Sequence, residues 1–182
     1  MRLAAVLGVL LLAGSAAGAE IHRLEVLERD GGFRVELAFR VNTRADRVLR
    51  ALTDYPNLER LHPGIVESEV LRRDAGEAVR VRTVVRGCVA FFCRELERVQ
   101  EVVAQGGFAI RTRIIPEKSD FRRGNSEWEI SPVRGGTQVR LRSYMVPGVQ
   151  VPPLLGPWAI RHSLKNSLRG LVQRLEELGD EG

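Results

Sequence analysis

Ala45-Asp-Arg-Val-Leu-Arg-Ala-Leu-Thr-Asp-Tyr-Pro-Asn-Leu-Glu-Arg-Leu-His-Pro-Gly-Ile65 changes its local rules three times. Ala45, Val48, Leu49 and Leu52 recur at i, i+3, i+4 and i+7, which is one face of a helix. Thr43-x-x-Asp46 has the form of a capping box in front of it. Pro56 cannot continue this helix, because it has no N–H and its ring clashes with the preceding turn. It can open the next turn, over Asn57–Leu61. His62-Pro63-Gly64 breaks that turn in its place, and from Ile65 the apolar period becomes two.

The period of two then holds for about eighty residues. Val66, Ser68 and Val70 alternate with Glu67, Glu69 and Leu71. Val79, Val81, Thr83 and Val85 alternate with Arg80, Arg82, Val84 and Arg86. Arg94–Val103 reads as a strand, its span set by turn signals on both sides. Phe108, Ile110, Thr112 and Ile114 follow, then Ser126, Trp128 and Ile130, then Val139, Leu141, Ser143 and Met145. Gln105-Gly106-Gly107 and Gly135-Gly136 supply turns. Alternation of this kind gives each strand one buried and one wet face, as in an antiparallel sheet. Before the quoted stretch, Ile21–Glu28 and Phe33–Val41 flank Arg29-Asp30-Gly31-Gly32, a hairpin signal.

After the strands, Val146–Pro157 carries four prolines and cannot be regular. A long helix is expected over Trp158–Leu178. Ile160, Leu164, Leu168, Leu171, Leu175 and Leu178 form a one-sided stripe along it, and Gly179 is expected to end it.

The chain begins Met1-Arg2-Leu3, runs apolar to Ala13 and ends this leader in Ala17-Gly18-Ala19. A basic start, a short apolar run and a small-x-small end make a secretory signal. Residues 1–19 are therefore expected to be removed, leaving one domain over 20–182. The apolar run is too short for a bilayer span, which needs about 20 residues. Export makes nucleic acid the weaker partner class and outweighs the net charge of +5 as a guide to partners. The outer strand positions alternate Arg with Glu and carry no interleaved stacking aromatics, so the basic excess reads as a solvated sheet face. The protein is expected to reside in the periplasm.

Cys88 and Cys93 are the only cysteines. In an exported chain their spacing fits a disulfide across a tight hairpin. Closing so small a loop stabilises by roughly 2 kcal/mol. Two cysteines make half a metal-ligand set, and no metal or cofactor is expected.

The order of the quoted stretch, the strands and the final helix resembles the START-like, or helix-grip (SRPBCC), superfamily. Within it the chain looks closest to the polyketide cyclase/dehydrase and coenzyme-Q-binding START-like group. The resemblance covers Val41 to Leu178. It implies an α+β helix-grip fold: a curved antiparallel sheet around a long C-terminal helix, with two short helices after the first strands. It also implies a cavity between sheet and helix. The export signal, the N-terminal hairpin and the cysteine hairpin are not features of mitochondrial quinone-binding relatives, which weakens transfer of a quinone as the ligand.

The inner face mixes hydroxyls with apolar residues. A buried hydroxyl without a partner costs roughly 1–3 kcal/mol. Thr83, Thr112, Ser126 and Ser143 therefore read either as locally bonded core residues or as polar points on a cavity wall. With them, Tyr55, Trp128, Leu141 and Met145 are the candidate ligand-binding residues. Leu154, Leu155 and Trp158 are candidates for a gate with transient membrane-surface contact, beside Arg161 and Lys165.

No catalytic residue is identified. His22, His62 and His162 are dispersed, with His62 read as a turn residue, and no inner-face ionisable group stands out. Three functions remain open. A carrier would hold a hydrophobic small molecule or lipid, a quinone among the options. A cyclase or dehydratase would need an ionisable side chain in the cavity. An interaction module would have a filled core.

Overall fold

A computed structural model describes residues 18–73, 78–89, 92–148 and 156–180. The chain forms strands β1 (Glu20–Arg29) and β2 (Gly32–Val41), then helix α1 (Ala45–Thr53). A 3-10 turn at Tyr55–Asn57 leads into the single-turn helix α2 (Leu58–Leu61). Six strands follow: β3 (Ile65–Arg73), β4 (Ala78–Val89), β5 (Phe92–Gln105), β6 (Ala109–Ile114), β7 (Phe121–Val133) and β8 (Gly136–Pro147). Helix α3 (Gly156–Asp180) closes the fold.

All eight strands make one antiparallel sheet in the order β1-β2-β8-β7-β6-β5-β4-β3. The two helices between β2 and β3 carry the chain from one part of the sheet to its far edge. The inner face then meets α3. Phe39, Val41, Val48 and Val139 pack with Leu171, Val172 and Leu175 of α3 as the closed end of the core. This is the helix-grip arrangement that the order of elements implied.

The outer face is a charge ladder. Arg82 contacts Glu67 at 2.7 Å and Glu97 at 3.1 Å, while Arg113 and Arg80 share Glu101 at 2.7 and 3.3 Å. Arg111 reaches Glu127 at 3.2 Å on the neighbouring strands. These exposed or half-buried surface pairs contribute little each, but their alternation fixes which side of every strand faces inward.

Two local expectations are corrected. Thr43 does not cap α1, whose first turn has no side-chain cap. Its hydroxyl instead donates to the carbonyl of Leu175 in α3, and its own carbonyl accepts from the Thr137 hydroxyl at 2.6 Å. Tertiary pairing of this fully buried threonine wins over the local motif. Gly179 does not stop α3, which runs on to Asp180. A Cβ at Gly179 would lie 2.9 Å from the Thr43 Oγ1, so glycine is there for close approach. Thr43→Val keeps the shape and removes the hydroxyl. It is expected to lower stability by about 1–2 kcal/mol, read as a smaller urea midpoint at unchanged slope.

Cys88 and Cys93 face each other across β4 and β5 and form a disulfide, with their Cα atoms 4.1 Å apart. Because the ladder already aligns the two strands, reduction is expected to cost at most about 2 kcal/mol. Thermal unfolding with and without a thiol reductant, on wild type and on Cys88→Ser/Cys93→Ser, measures it. A reductant effect that persists in the double variant would assign the loss elsewhere.

Candidate functional site: a cavity between sheet and helix

Between the inner sheet face and α3 lies a cavity of about 180 Å³. Most of its wall is apolar. β2 gives Val35, β5 gives Val102, β6 gives Ile110, and β7 gives Phe121 and Trp128. Leu141 and Met145 come from β8, and Leu164, Leu168 and Leu171 from α3. Leu52, Leu58 and Tyr55 cover it from α1 and the turns that follow it.

The candidate residues divide as follows. Tyr55, Thr112, Ser126, Trp128, Leu141, Ser143 and Met145 all line the cavity. Thr112, Ser126 and Ser143 sit side by side on β6, β7 and β8 because the register pairs them directly. Thr112 and Ser126 share a hydrogen bond of 2.7 Å, and Ser143 donates to the Asn125 carbonyl at 3.3 Å. The hydroxyls are thus locally bonded and line the cavity as well. Thr83 is fully buried and is not part of the wall. Trp158 lies on the first turn of α3 and is 66% exposed, while Leu154 and Leu155 fall outside the described residues.

Four polar wall residues were missed by the sequence reading: Arg98, Gln100, His62 and Ser167. Arg98 and Gln100 share the inner parity of β5 with Val102. Arg98 Nε donates to Thr83 Oγ1 at 3.2 Å. That hydroxyl is its only hydrogen-bond or ion-pair partner among the described residues, and Gln100, itself buried, has none there for its amide. Burial lowers the Arg98 pKa to about 10. The expectation that no ionisable group faces the cavity is therefore overturned. A signal was available, since Glu95, Glu97 and Glu101 on β5 all take outer positions against Arg86, Arg82 and Arg80. Between Glu95 and Glu101, Arg98 is the one charged residue on the other parity.

His62 is more than a turn residue. It follows α2, and its Nδ1 accepts the Gly64 N–H at 3.2 Å and lies 3.4 Å from the Ser167 hydroxyl of α3. α3 can come this close because residue 170 is glycine; a Cβ there would lie 2.7 Å from Pro63 Cγ. Nδ1 is thus an acceptor, and the ring proton of the neutral form is on Nε2. Desolvation first, and the positive charge of Arg98 second, push the His62 pKa down to about 4. Such a histidine is neutral at pH 7 and a weak base. The Ser167–His62 contact does not amount to an activated nucleophile, because the orienting N–H and the hydroxyl compete for one nitrogen.

Residues 32–176 match the family described as polyketide cyclase / dehydrase and lipid transport. The chain belongs to this family. The match takes in β2, which the resemblance had left outside the shared core. No curated protein matches the chain. Among solved structures, a protein of Thermus thermophilus is similar at 21% identity, with a TM-score of 0.66, over 81% of this chain and 97% of that one. A STAR-related lipid transfer protein of Xanthomonas axonopodis is similar at 17% identity and a TM-score of 0.66, over 87% and 99%. An aromatase/cyclase of a Streptomyces species gives 20% and 0.57, over 81% and 92%. These likenesses establish the START-like fold.

Proposed function

We propose that this protein is an exported carrier that holds a small hydrophobic molecule between its sheet and α3 without transforming it. The observation that carries this reading is the cavity itself. It is mostly apolar, with a few polar groups on its wall, the usual composition of a ligand site. The leader at residues 1–19 and the Cys88–Cys93 disulfide favour an oxidising compartment such as the periplasm. The exposed Trp158 beside Arg161 suits transient contact with an anionic membrane surface during exchange. A quinone is one ligand the family group suggests.

The test is mass spectrometry of organic extracts from protein purified out of its native envelope. A stoichiometric hydrophobic compound supports the carrier. Protein that arrives empty and takes up no labelled lipid or quinone sinks it.

Cyclase or dehydratase chemistry is the second reading, and the placement of Arg98 and His62 favours it, since an ionisable side chain in the cavity is what it needs. Incubating the recovered compound with the protein discriminates the two. An enzyme of this type converts it with loss of water, whereas a carrier returns it unchanged. An interaction module with a filled core is disfavoured, because the cavity has room for about six waters at roughly 30 Å³ each.

A further inference from the structure

The polar side of the cavity has a definite sign. Among the described residues, Arg98 is the only charged side chain in its wall at neutral pH, since His62 is neutral there and no carboxylate lines it. The two terminal nitrogens of the guanidinium have no hydrogen-bond partner among the described residues, and neither does the Gln100 amide two residues along the same strand face. A desolvated cation beside an apolar wall is costly unless paired. The remaining polar groups cannot neutralise it, because hydroxyls and a neutral imidazole carry no charge. The Thr83 hydroxyl holds Nε, which fixes the guanidinium plane and leaves its terminal fork to face an acceptor.

We infer that the ligand is a small apolar carboxylic acid, about one ring with a short substituent, whose carboxylate sits on Arg98 with Gln100 beside it. The inference rests on the carrier reading of this same cavity and adds the head group and the size. The carboxylate follows from the planar fork of arginine, which bonds two carboxylate oxygens at once. A phosphate would bring a bulkier and more strongly hydrated head into a wall built of valine, leucine and isoleucine. The size follows from volume: an apolar cavity of about 150 Å³ takes benzene, and this one is about 180 Å³. A two-chain lipid is far too large for that space.

Isothermal titration calorimetry with 4-ethylbenzoate and 4-ethylbenzyl alcohol tests the head group, because the two differ in charge and hardly in shape. The acid is expected to bind on the order of 30-fold more tightly than the alcohol. Arg98→Gln is expected to remove most of that preference, weakening the acid on the order of 30-fold and the alcohol only a few-fold. Extraction of phosphatidylcholine from dioleoylphosphatidylcholine vesicles tests the size. Equal binding of acid and alcohol, or an acid affinity indifferent to Arg98→Gln, overturns the carboxylate while leaving the carrier reading standing. Stoichiometric uptake of phosphatidylcholine overturns the size limit. Binding of none of these compounds overturns the acid, and together with protein that arrives empty from its native envelope it overturns the carrier as well.

Discussion

Taking the protein from pH 7 to pH 4 is expected to cost about 3 kcal/mol of stability through His62 alone. The folded state holds this imidazole near a pKa of about 4, against an ordinary value of 6.5. Between those two values the unfolded chain binds a proton that the folded chain refuses. Lowering pH therefore favours unfolding, and the loss accumulates from about pH 6.5 down to pH 4. A difference of this size corresponds to about 3 kcal/mol. Desolvation is the larger cause and the charge of Arg98 the second, so protonation would put two cations side by side in one cavity. His62→Asn is the control, because its amide oxygen can take the Gly64 N–H that Nδ1 now accepts. Urea unfolding at several pH values should show a steep decline for wild type and a shallower one for the variant. Equal slopes in the two proteins would remove His62 as the cause.

The sequence displayed the architecture well because the architecture depends on periodicity. Alternation from Ile65 to Met145 sorted nearly every inner residue correctly, and the Arg–Glu outer face confirms the parity strand by strand. The stripe Ile160–Leu178 found α3 for the same reason. Partners that are distant in sequence were not legible. Thr43 looks like a cap for α1, yet its partner is 132 residues away in α3. His62 looks like punctuation, yet it meets Ser167 at a separation of 105. Thr83 has the right parity for the cavity wall, but the long side chain of Arg98, directly opposite it on β5, stands in front. Arg98 itself was readable by parity. Composition obscured it, because a strand with six charged or amide residues between Arg94 and Glu101 does not advertise which one points inward.

Arg98→Met is expected to stabilise the unliganded protein by about 2–3 kcal/mol, the opposite of what most core substitutions do. The folded state lowers the Arg98 pKa from its ordinary value to about 10 through burial, which corresponds to an unfavourable charge of about 3 kcal/mol at neutral pH. Methionine retains the unbranched apolar stem that packs against the wall and removes the charge. Against this gain stands the lost hydrogen bond to Thr83, whose hydroxyl still has the backbone carbonyl of residue 98 at 3.4 Å. The same variant should also raise the His62 pKa, since the second cause of its depression disappears. The acid-induced loss of stability described for wild type should then become smaller, so the two effects are coupled through one cavity. Chemical denaturation of the unliganded variant at pH 7, repeated near pH 5, reads both. A variant less stable than wild type at pH 7 would mean that Arg98 is a structural cation with compensation inside the fold. A more stable one would leave an uncompensated charge that the sequence keeps at the expense of stability, which is the behaviour of a binding group waiting for its counter-ion.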